Sequence, residues 1–101
     1  MRFYRGFSAL SNELDSLPLT GWIFVERDKV VQFGDFLKNA DYYIAETELE
    51  AIDLEKTKKS FVECPTLVDI ISILDQRPVQ PSLDEYIGAV LHYHEHDDFL
   101  D

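Results

Sequence analysis

Three histidines stand within five residues, in His92-Tyr93-His94-Glu95-His96-Asp97-Asp98. Imidazole and carboxylate are transition-metal ligands. On a helix, His92 and His96 fall one turn apart and can share an ion; on a strand, all three rings share a face. The order is not that of the metallohydrolase pattern HxHxDH, and HExxH does not occur. No histidine lies elsewhere to complete a coordination sphere. The competing explanation is a helix C-terminus, where partly charged imidazoles meet the negative end of the helix dipole. The one cysteine, Cys64, precedes Pro65 and falls where a helix can begin. A helix N-terminus lowers a thiol pKa, but isolated cysteines are more often inert and buried. A single cysteine excludes an internal disulfide and any CxxC site. GxSxG, P-loop and GxGxxG patterns are absent, and Gly6, Gly21, Gly34 and Gly88 are isolated. Catalysis is therefore not the expected function, and no cofactor is expected.

A second kind of chemistry is electrostatic. The chain carries 9 Lys and Arg against 20 Asp and Glu, a net charge of −11. In residues 1–40, Arg2, Arg5, Arg27, Lys29 and Lys38 balance Glu13, Asp15, Glu26, Asp28 and Asp35. The whole excess falls in the remainder. It concentrates in Asp41, Glu46, Glu48, Glu50, Asp53 and Glu55, with no base between them, and in a tail holding Glu95, Asp97, Asp98 and Asp101. Phosphate backbones and anionic membranes repel such a surface, so neither nucleic acid nor membrane is expected as a direct partner. A basic protein is attracted and steered toward it. Tyr42-Tyr43 leads into these acids. On a strand only one of the two faces the core, which leaves the other beside the carboxylates, as in interfaces that recognise Arg or Lys. The candidate partner-binding residues are therefore Tyr43, Glu46, Glu48, Glu50, Asp53 and Glu55, with Asp97 and Asp98 as a second patch.

The elements that position these groups follow from periodicity. With 101 residues, the chain suits one domain, 1–101. At 46% apolar it is too hydrophobic for a disordered acidic tail. Phe7, Leu10, Leu14 and Leu17 predict a short amphipathic helix stopped by Pro18. Gly21–Glu26 and Val30–Phe33 predict a hairpin, with Trp22 and Phe24 in the core, and Asp41–Ala45 a third strand. Residues 46–63 fit either a helix, through Glu48, Leu49, Ile52, Leu54 and the lysines, or an ordered acidic loop; a loop with some helical turns is the slightly favoured reading. Pro65 in a first turn, with Leu67, Ile70, Ile71 and Leu74 on one face, predicts a helix ended by Pro78. Ser82-Leu83-Asp84-Glu85 matches a capping box and opens another, carrying Ile87, Val90, Leu91 and His94. The expected fold is α+β: a short N-terminal helix, an antiparallel meander of about three strands, and two C-terminal helices packed on it. Phe99-Leu100 is expected to fold back onto the hydrophobic surface. Met1–Gly6 is not followed by an apolar signal-peptide core, and no apolar run approaches the roughly 20 residues of a membrane span. The expected location is the cytoplasm.

Three segments carry a resemblance. Pro65-x-x-x-Asp69-Ile70-Ile71-x-x-Leu74-x-Gln76, Pro81-Ser82-x-Asp84-Glu85-Tyr86-Ile87-x-Ala89 and Tyr93-x-x-x-Asp97-Asp98-Phe99-Leu100, with the Trp22 strand, resemble a family of small bacterial proteins of uncharacterised function. These in turn resemble immunity proteins of polymorphic-toxin and contact-dependent growth-inhibition systems. The resemblance implies a cognate toxin domain as partner, often a nuclease with a basic cleft, silenced by stoichiometric occlusion. Asp97-Asp98 departs from the Asp-Ala of that family, and residues 46–63 have no counterpart in it. Two other functions fit the residues alone. One is an acidic adaptor or nucleic-acid mimic that blocks a DNA-binding protein. The other is a small metal-dependent enzyme built on His92, His94 and His96.

Overall fold

Ile23, Phe24 and Val25 are all buried, which requires cover on both faces of their strand. A computed structural model describes residues 1–26 and 34–96, apart from the side chains of residues 34–36, and supplies that cover. Among the described residues, β1 (Arg2–Arg5), β2 (Trp22–Glu26), β3 (Asp41–Ile44) and β4 (Lys58–Glu63) form one antiparallel sheet in the order β1-β3-β2-β4. The fold is α+β, as expected, but it is not a three-stranded meander. β1 and β4 are additional strands, and β2 lies between β3 and β4. The expected hairpin partner, Val30–Phe33, lies outside the described residues.

Parity divides the sheet. Ile23, Val25, Tyr42 and Ile44 point to one face and join the main core with Phe7 and Leu10 of α1 (Phe7–Ser11) and Leu37 of α2 (Gly34–Asn39). The same core takes Leu67, Ile70, Ile71 and Leu74 of α4 (Cys64–Asp75) and Ile87, Ala89 and Val90 of α5 (Leu83–His96). Tyr42 is its largest fully buried side chain, edge-on to Phe7, and its hydroxyl donates to the Leu37 carbonyl at 2.5 Å. The predicted N-terminal helix is shorter than its periodicity implied: α1 ends at Ser11, and Leu14–Ser16 is a separate 3-10 turn. Gly6, at φ 88°, makes the corner between β1 and α1, where an added Cβ would stand 3.2 Å from the Lys38 carbonyl oxygen.

The two C-terminal helices form where predicted. Pro65 sits in the first turn of α4. Before α5 the capping box is reciprocal: Glu85 N–H donates to Ser82 Oγ and Ser82 N–H to Glu85 Oε1, each at 3.2 Å. The Tyr86 hydroxyl donates to Asp75, and Arg77 pairs with Glu85 at 3.5 Å, so polar contacts close the turn between the helices.

Residues 46–63 take the helical alternative rather than the favoured loop, followed by a strand that neither reading contained. Glu48–Thr57 is a helix, α3, and it runs directly into β4. Thr47 caps it: Glu50 N–H donates to Thr47 Oγ1 at 3.2 Å, and Glu46 N–H donates to Glu50 Oε1 at 2.9 Å. α3 lies over the second face of the sheet, apart from the other helices. Its buried residue Leu54 and the 2%-exposed Phe24 stand outside the main core, and the cavities along α3 are completed by Phe24, Tyr43 and Trp22 of that second face. The register of β4 shifts between Ile23 and Phe24, which face Val62 and Ser60 respectively. The extra residue, Phe61, lets both Phe61 and Val62 join the core.

Candidate functional site

The acidic stretch maps onto α3 and its approach, and the helix divides it. At 3.6 residues per turn, Glu48 and Glu55 share one flank with Ala51, while Glu50 and Asp53 share the other. Between these flanks, facing solvent, stand Leu49 and Ile52, 76% and 48% exposed, with Lys56 of the last turn on the same line. An apolar ridge with carboxylates on both sides has the arrangement of a protein interface, with an apolar centre and a polar rim. The acids also suit the helix itself: Glu48 and Glu50 lie in the first turn and Lys56 in the last, in line with its dipole.

The two flanks differ. On the Glu50 side, a cavity of about 360 Å³ is lined by Tyr43, Asp53, Leu54, Lys58 and Met1. Its Glu50 is met by a cation. The Met1 amine donates to Glu50 Oε2 at 2.7 Å and pairs with Glu46 at 3.3 Å. Glu50 is held below the usual carboxylate range chiefly by that amine, and the amine pKa is raised in return. Tyr43 is half-buried here. Its hydroxyl donates to Glu26 Oε1 at 2.6 Å, Phe3 packs on its ring, and the Lys58 ammonium sits 4.8 Å from the ring centroid. The Glu26 hydrogen bond, with burial second, pushes the Tyr43 pKa up to about 12.

On the Glu48 side, a groove of about 340 Å³ runs between α3 and the start of β2. Trp22, Phe24 and Pro18 give it an apolar wall, and Glu46, Glu48 and Glu55 line it as well; among the described residues no Lys, Arg or His does. Trp22 is 43% exposed, so its expected place in the core is corrected. It has the same parity as Phe24, on the second face, but stands at the strand's end, where the cover is incomplete. Thus Glu46, Glu48 and Glu55 gather around one groove, and Tyr43, Glu50 and Asp53 around the other cavity. Asp97, Asp98 and the Phe99-Leu100 segment lie outside the described residues. Sequence reasoning missed Trp22, Leu49 and Ile52 as surface residues. A Thr47-x-x-Glu50 capping box was the available signal for the helix that exposes the latter two.

The other candidate chemistry is dispersed. His92 and His96 approach to 4.7 Å between ring centroids, but His94 packs on Phe61 at 5.2 Å. Among the described residues, no group of three or more His, Cys, Asp or Glu side chains is placed to hold a metal ion. Cys64 is fully buried at the start of α4, its N–H donating to the Gly21 carbonyl at 2.9 Å, and burial raises its thiol pKa. Among the described residues, no helix is long and apolar enough to cross a membrane. No family model, curated protein or solved structure matches this chain.

Proposed function

We propose that the protein is an immunity-type binding protein that silences a basic protein, a cognate bacterial toxin domain, by occupying its surface in a stoichiometric complex. The observation that carries this reading is the outer face of α3, where exposed Leu49 and Ile52 stand between two rows of carboxylates. Apolar side chains at the centre of a contact supply desolvation energy, and the surrounding acids steer a cationic partner and fix its register. A toxin that handles nucleic acid presents a complementary cleft, because it must attract phosphates.

The test is co-purification with the product of the gene immediately upstream, followed by protection of cells that express it. The expected result is a defined complex and rescue of growth, both lost when Leu49 and Ile52 are replaced by Asp. An upstream product that is neither toxic nor bound counts against the immunity reading. Binding to several unrelated basic proteins would instead favour the acidic-adaptor reading, since a cognate inhibitor discriminates sharply.

A further inference from the structure

We infer that His92 and His96 form a two-donor site for a divalent transition-metal ion on the outer face of α5, with Cu²⁺ as its best-fitting occupant and Ni²⁺ next. This site is independent of the α3 face and adds a second kind of binding to the molecule.

Three observations carry this assignment. The first is separation. His92 and His96 stand one turn apart on α5, with ring centroids 4.7 Å from each other. With metal–nitrogen bonds of about 2.0–2.1 Å, two imidazoles bound at a right angle bring their centroids to about 4.6 Å, and at the tetrahedral angle to about 5.3 Å. The separation seen matches the right-angled case. Right angles between neighbouring donors belong to the square-planar and tetragonal coordination of Cu²⁺ and Ni²⁺, rather than to tetrahedral Zn²⁺. The second observation is availability. Among the described residues, neither imidazole makes a hydrogen bond. His96 Nε2 lies 3.8 Å from Glu95 Oε2, beyond hydrogen-bond reach, and that carboxylate adds favourable potential for a cation. His94 differs, since it packs on Phe61 on the core side of the helix. The third is a rigid base. Ile87, Ala89 and Val90 anchor α5 in the main core, and the Ser82–Glu85 cap fixes its start. Donors carried on a packed helix need little ordering when they bind. Two protein donors leave the other coordination positions to water. The site is therefore open and exchangeable, unlike a closed four-ligand structural centre, and this agrees with the lack of a three-donor group among the described residues.

The experiment titrates the untagged full chain with CuCl₂, NiCl₂ and ZnCl₂ by calorimetry, and follows Cu²⁺-induced broadening of the backbone amides in parallel. Cu²⁺ is expected to bind most tightly and Ni²⁺ more tightly than Zn²⁺, with broadening centred on residues 92–96. Excess Mg²⁺, which prefers oxygen donors, should not compete. His92→Ala and His96→Ala should each weaken Ni²⁺ binding at least about tenfold, because a single imidazole loses the gain from two linked donors. His94→Ala should change it by less than about twofold. An amide spectrum that changes only near each substitution confirms that α5 is intact. If His92→Ala disturbs the helix, His96→Ala, at an exposed position, carries the test alone. Broadening centred on residues 46–55, with an affinity that neither alanine moves, overturns the site and places the ion on the acidic face. Equal weakening by His94→Ala overturns the pairing of His92 with His96. Tighter binding of Zn²⁺ than of Ni²⁺ overturns the right-angled geometry. Absence of saturable Ni²⁺ binding overturns the site altogether and leaves the toxin-binding reading to be decided by co-purification.

Discussion

Tyr43 shows how one side chain ties the second face of the sheet together. Its hydroxyl donates to Glu26, which also pairs with Lys58 at 3.4 Å. Because its folded pKa is raised from 10 to about 12, protonated Tyr43 contributes stability that is fully present below pH 10. That contribution is lost as pH rises through about 12. Tyr43→Phe should therefore be less stable than the parent at neutral pH, by about 1 kcal/mol. The gap should close as pH climbs from 10 toward 12, which urea unfolding at a series of pH values would follow. Glu50 has the opposite sign: its lowered pKa gives stability that fades as pH falls below the usual carboxylate value. Alternation made the division of Tyr42 and Tyr43 between two faces legible in the sequence. The exposure of Trp22 was not, because parity assigns a face but not whether anything covers it.

At the scale of elements, a Ser/Thr-x-x-Glu cap precedes each of two helices, with Glu85 reaching back to the Ser82 N–H and Glu50 to the Glu46 N–H. Ser82→Ala and Thr47→Ala should each cost about 1 kcal/mol, read as a lower melting temperature without loss of helix content at 25 °C. Ser82-x-x-Glu85 was legible because Ile87, Val90 and Leu91 follow it in a clear stripe. Thr47-x-x-Glu50 was overlooked because Leu54 points inward while Leu49 and Ile52 point out, so α3 has no apolar stripe. β4 was hidden for a related reason: the bulge at Phe61 places two consecutive side chains in the core and breaks the period of two that marks a strand. A helix that leaves apolar residues exposed separates stability from binding. Leu74→Ala, in the main core, should cost about 2–5 kcal/mol. Ile52→Ala should change stability by no more than about 0.5 kcal/mol while weakening the complex with the basic partner. Paired unfolding and binding measurements on both variants check that separation.

For the whole molecule, the legible feature was the charge asymmetry, balanced in residues 1–40 and acidic thereafter. Its distribution over two flanks of one helix was not legible, since it depends on α3 packing as a separate layer on the far face of the sheet. That placement puts the four α3 carboxylates beside the exposed ridge, while α4 and α5 keep their apolar faces in the main core. Long-range attraction of this kind acts mainly on the rate of association and fades as salt shortens the screening length, from roughly 30 Å at 0.01 M to 8 Å at 0.15 M. The most direct test of a steering, docking α3 face is stopped-flow association of the purified protein with its upstream-encoded partner, comparing the parent with Glu48→Lys/Asp53→Lys/Glu55→Lys across that salt range. The triple variant should associate at least about tenfold more slowly at low salt, and the two rates should converge at high salt. Equal association rates at low salt, in a complex that still forms, would contradict the α3 face as the docking surface.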